Sequence, residues 1–132
     1  MSNNKDLSTP KEEEMSKKPT VEGAINKPDA VLTAEDLVGG SEVVHTVMID
    51  TSVMKGLIRI KPVTLKVVQR ASKAAGGDST QVSRYLIKQA LIEPQMSDDQ
   101  VDSLVIGLVN EISNKINEIS GITKEMIANT KN

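Results

Sequence analysis

His45 is the only histidine in this chain of 132 residues, and there is no cysteine. Imidazole acid–base work would therefore rest on one side chain, and thiolate nucleophiles or ligands are excluded. His45 sits in the run Val43-Val44-His45-Thr46-Val47-Met48-Ile49, with no carboxylate or hydroxyl nucleophile at a recognisable offset, so neither a dyad nor a triad can be assembled around it. The acids Asp98, Asp99 and Asp102 could hold a cation, but they lack the glycine turn and the terminal Glu of a calcium loop. Their place in the first turns of a helix explains them better, because the helix dipole favours acids there. Gly39-Gly40 and Gly76-Gly77 are not phosphate loops: no Lys-Ser/Thr follows the second pair, and the chain has no G-x-G-x-x-G. Tyr85, the only aromatic residue, falls on the apolar side of its helical pattern, as a packed ring would. These residues describe a binding or assembly module with no catalytic residues, no cofactor and no metal site.

The elements that carry them are punctuated clearly. Thr33-Ala34-Glu35-Asp36 places an N-cap and two acids before Leu37 and Val38, and Gly39-Gly40 ends that helix after one or two turns. The β-branched run Val43–Ile49 and the alternating Leu57-Ile58-Arg59-Ile60-Lys61 read as two strands joined through Asp50–Gly56 into a small antiparallel hairpin or sheet. Pro62 then gives way to helical spacing at Leu65, Val68, Ala71 and Ala75, stopped by Gly76-Gly77-Asp78. A further helix from Ser79-Thr80 carries Val82, Tyr85, Leu86, Ala90 and Leu91, and Pro94 ends it. Ser97 with Gln100 three residues on is a capping-box pattern, the best helix start in the chain.

From there an apolar stripe runs through Val101, Leu104, Val105, Leu108, Ile112, Ile116 and Ile119 to Ser120-Gly121. One long helix or two short ones would satisfy it, and Gly107 marks a place for a break or a close helix contact. The stripe is either core or a partner-binding surface; periodicity alone does not separate the two. The expected fold class is α+β, mostly helical: a small antiparallel hairpin or sheet followed by a four- to five-helix C-terminal part. Residues 31–122 form the single domain. Residues 1–30, rich in Lys, Glu, Ser, Asn and Pro, are expected to be an unstructured arm, and residues 123–132 a short C-terminal helix or tail.

Composition bounds the setting. The absence of cysteine fits a reducing interior, and no apolar run approaches a signal peptide or the roughly 18 residues of a bilayer span, so a cytoplasmic protein is expected. The formal net charge of −2 conceals an asymmetry. Lys55–Lys88 holds eight basic residues against the single acid Asp78, whereas Gln89–Ile122 holds six acids against the single base Lys115. That pattern suits a solvated or self-complementary surface, or steering of an acidic partner.

Three stretches carry a family resemblance: Ile58-Arg59-Ile60-Lys61-Pro62-Val63-Thr64, then Ala90-Leu91-Ile92-Glu93-Pro94-Gln95-Met96-Ser97, then Gly107-Leu108-Val109-Asn110 leading to Ile119-Ser120-Gly121-Ile122. Together with Thr33-Ala34-Glu35-Asp36-Leu37, they resemble the tail assembly chaperones of tailed bacteriophages and prophages over roughly residues 32–122. The resemblance implies a small, largely helical, non-enzymatic protein in the cytoplasm of a bacterial host. Its partners would be the tape measure protein and the tail tube protein, and homo-oligomer formation stays open. The seven-residue stripe from Val101 to Ile119 would then be the candidate partner-binding surface. The competing reading is a prophage-encoded ribbon-helix-helix DNA-binding regulator, since the strand Leu57–Lys61 precedes two helices and alternates bases with apolar residues. Against it, the acidic C-terminal part would repel phosphate, so nucleic acid is not the expected partner. One aromatic residue offers no stacking platform for single strands either.

Overall fold

The computed structural model describes residues 20–122. Within them the chain is α+β and mostly helical, with a four-stranded antiparallel sheet in the order β1-β2-β3-β4 and five α-helices. The strands are β1 (Thr20–Glu22), β2 (Val44–Asp50), β3 (Lys55–Ile60) and β4 (Leu91–Glu93). The helices are α1 (Ala34–Gly39), α2 (Leu65–Ala75), α3 (Ser79–Ala90), α4 (Asp98–Asp102) and α5 (Ile106–Ser120).

The expected hairpin is β2–β3, in register from His45 opposite Ile60 to Asp50 opposite Lys55. Its turn is held by Thr51, whose backbone N–H donates to the Met54 carbonyl at 2.9 Å while its hydroxyl accepts from the Val53 and Met54 amides. Two short strands were not expected and flank this hairpin. β1 pairs with β2 inside the stretch read as an unstructured arm. β4 follows α3 directly, pairs with β3 and leads into a cis Glu93–Pro94 peptide. Leu91 therefore serves the sheet, where the alternating pattern of the preceding helix had claimed it. The reason is hydrogen-bond satisfaction: without β4 the second edge of β3 would present unpaired N–H and C=O groups over a buried layer.

Four of the five α-helices begin at a side-chain cap, and α5, after Val105, does not. Thr64 caps α2 through the Val67 amide, Asp78 caps α3 through the Thr80 amide, and Ser97 with Gln100 forms the expected capping box of α4. Gly76 and Gly121 end α2 and α5 at φ 58° and 76°, left-handed values that side chains with a Cβ adopt at a cost. The apolar stripe resolves into two helices. Its break is at Ser103–Val105, and Gly107 lies inside the first turn of α5.

Strand alternation puts Val47 and Ile49 of β2 and Ile58 and Ile60 of β3 on the core side, where Ile87, Ala90, Leu91, Val101, Leu108, Ile112 and Ile116 join them. Ile60, Ile87 and Ile116 have no exposed surface. Two hydrogen bonds fix the direction of α5 across the sheet. Glu111 accepts from the Asp50 amide at 3.4 Å, and Ser120 Oγ accepts from the Val63 amide at 2.9 Å. The N-terminal end of α5 thus lies beside the β2–β3 turn and its C-terminal end beyond the end of β3.

Truncating a wholly buried residue of this layer tests the packing. Ile116→Ala is expected to lower the unfolding free energy by about 2–5 kcal/mol, from lost transfer energy and the cavity left behind. Ile106→Ala, at an exposed position, should change it by no more than about 0.5 kcal/mol. Urea unfolding of the two variants measures both.

Candidate functional site

The seven residues of the stripe part company in three dimensions. Val101, Leu108, Ile112 and Ile116 are buried, and Leu104 and Ile119 are half-buried against the same cluster. Only Val105 is exposed. The stripe is therefore the core's own helical layer, and the expectation that it forms an exposed partner-binding surface is corrected on that ground. The sheet offered the nearest apolar surface, and α5 covers it.

Exposed aliphatic side chains gather elsewhere, in two places. The first is the end of the molecule marked by the Asp50–Glu111 hydrogen bond. There the turn residues Val53 and Met54 and the start of α5, Val105 and Ile106, are all exposed. The second is the segment around α1. Val31 is 94% exposed, Leu37 68% and Val38 73%, Leu32 is partly open, and α1 has no buried residue.

The attachment of α1 explains that exposure. Thr33 and Asp36 form a reciprocal capping box: the Asp36 amide donates to Thr33 Oγ1 and the Thr33 amide donates to Asp36 Oδ2, both at 3.0 Å. Lys27 Nζ also donates to Asp36, at 3.0 and 3.1 Å. These bonds hold the Asp36 carboxyl below the usual carboxylate range, the Thr33 amide contributing most and Lys27 next. Beside Asp36, a Cβ on Gly39 would stand only 3.2 Å from Ile25 Cδ1, so the helix rests closely on that segment. At about 100° per residue, Asp36 and Gly39 share one side of α1, and Leu37, Ala34 and Val38 share the other. The helix is anchored through its polar side and turns its apolar side outward, the reverse of an ordinary surface helix.

Several charged side chains among the described residues pair with one another. Three of the eight bases in the basic block, Arg59, Arg84 and Lys88, pair with acids among the described residues. Arg84 pairs with Asp102, Lys88 with Asp98 at 3.2 Å, and Arg59 lies between Glu22 and Glu93. Lys88 also donates to the Met96 carbonyl at 2.8 Å, tying α3 to the loop after Pro94. The charge asymmetry is thus partly self-complementary. A cleft of about 190 Å³ lined by Ile87, Lys88, Leu91, Gln95, Met96 and Val101 is smaller than a typical small-molecule site. Among the described residues there is no group of three or more His, Asp or Glu that could hold a metal ion. No described helix is long and apolar enough to cross a membrane.

The sequence named α1 but did not mark its outward face. The available signal was that Leu37 and Val38 have no apolar neighbour one turn earlier beyond Ala34, too narrow a stripe to bury. No family model, curated protein or solved structure matches the chain.

His45 stands opposite Val21 and Ile60 in the sheet, and burial lowers its pKa from 6.5. The folded state therefore prefers neutral imidazole. Its contribution is complete above pH 6.5 and is lost as pH falls through the lowered folded value. The unfolding midpoint of the chain should drop more steeply below pH 6.5 than that of His45→Gln; matching pH profiles would contradict this.

Proposed function

We propose that the protein is a tail assembly chaperone of a tailed bacteriophage or prophage, a non-enzymatic factor that binds the tape measure protein and helps recruit tail tube subunits. The observation that carries this reading is the outward apolar face of α1, held in place by polar contacts on its other side. A factor that shields an elongated helical protein before assembly needs such a preformed, exposed aliphatic surface. The sequence resemblance over residues 32–122 supplies the identity of the partner. Its segments occupy structural positions: Ile60 and Leu91 face the core on paired strands, and the Ile119–Ile122 ending closes α5 at Gly121.

The regulator reading meets an obstacle in the topology. Dimerisation through Leu57–Lys61 requires a strand with a free edge, and β3 is paired with β2 along one side and with β4 at Arg59 and Ile60 on the other. Of Arg59 and Lys61, the two basic residues that alternate there as a base-reading ribbon would, Arg59 is paired with Glu22 and Glu93.

Co-purification with a tape measure protein tests the proposal. Capture of that protein, with no shift of DNA at low salt, is the expected outcome. A DNA shift that weakens steeply with salt, and no captured protein, would sink the chaperone reading.

A further inference from the structure

The segment Pro28–Val44 that carries α1 contains Asp29, Glu35, Asp36 and Glu42 and no Lys or Arg. Asp36 is matched by Lys27. The other three are exposed and enter no ion pair among the described residues, and Glu35 flanks the Leu37–Ala34–Val38 strip at about 100° from Ala34 on the helix. The result is an exposed apolar face on α1, preceded in the chain by the exposed Val31 and Leu32 and flanked on one side by Glu35. Chemistry of this kind selects its occupant. An apolar stripe would cover the aliphatic side chains, and basic residues beside it would meet Glu35 and Glu42.

We infer that the outward face of α1 seats an amphipathic helix that carries Lys or Arg along the margin of its apolar stripe. The inference rests on the assembly-factor reading and names the docking face and the chemistry of the helix it receives. A second copy of this chain fits less well. Pairing α1 with α1 brings acid against acid, and a basic helix avoids that repulsion.

The probe is a labelled synthetic peptide of Leu and Lys with an apolar stripe at helical spacing, titrated into the full chain beside a Leu/Glu peptide of the same pattern. The Leu/Lys peptide should bind more tightly than the Leu/Glu peptide and shift the backbone amide resonances of residues 31–42. A variant carrying Leu37→Asp and Val38→Asp, both at exposed positions, should keep its circular dichroism spectrum and unfolding midpoint. Its peptide affinity should fall by at least about tenfold, because the peptide's apolar stripe would meet desolvated carboxylates. A variant carrying Val105→Asp and Ile106→Asp, at the other apolar patch, should bind like the unmodified chain. Absence of binding, equal binding of the two peptides, or affinity unaltered by the α1 changes would overturn the inference. Capture of the tape measure protein, run in parallel, separates the two levels. Capture without peptide binding at α1 removes this docking face and keeps the chaperone reading. Peptide binding at α1 without capture removes the chaperone reading and keeps the face.

Discussion

Burial of β3 under α3 and α5 is the constraint on which the rest of the structure depends. Ile60, Ile87 and Ile116 come from three different elements and are sealed from solvent in one cluster. A layer built almost wholly from aliphatic residues has no aromatic ring to span gaps, so every element that touches it must fit closely. β3 lies at its centre with neighbours on both edges. β2 supplies Val47 and Ile49 to the same face, and β4 brings Leu91 in directly behind α3. The direction of α5 follows from its two anchoring hydrogen bonds, to the Asp50 and Val63 amides.

This core consumes the most periodic apolar surface in the chain and leaves α1 outside. The ion pairs that decorate the core, Arg84–Asp102, Lys88–Asp98 and Arg59 with its two glutamates, are exposed, and each contributes little to stability. They link α3 to α4, and Arg59 of β3 to both edge strands, β4 beside it and β1 on the far side of β2. Lys27–Asp36 belongs to the same class and acts on orientation more than on energy. It holds the polar side of α1 down, and the consequence for function is that Leu37 and Val38 face outward.

The parts legible in the sequence are those governed by local chemistry. Thr33, Ser97 and Gln100 announced their helices, Gly76 and Gly121 their ends, and the alternation through Leu57–Lys61 its strand. β1 and β4 were not legible because three residues carry no period of their own; only the hydrogen-bonding needs of β2 and β3 bring them into the sheet. Leu65 matched the helical spacing of buried residues yet is 74% exposed, and of that helix only Ala71 is buried. Ile87 lay outside the expected buried set of α3 and is wholly enclosed, because that helix is contacted by both α2 and α5 and needs a wider apolar face. The seven-residue stripe was legible as an apolar face, and of its two readings, core or partner-binding surface, the packing of α5 on the sheet selects core. Periodicity reports that a face is apolar and is silent about what covers it.

Hydrogen exchange of the full chain, alone and mixed with a tape measure protein as the proposed partner, tests most directly the claim that α5 is core and the proposal that α1 is the docking face. The account predicts that residues 106–120 are strongly protected in both states and that residues 31–42 exchange quickly alone and slow when the partner is present. Fast exchange in α5 that slows on mixing, with residues 31–42 unchanged, would contradict it.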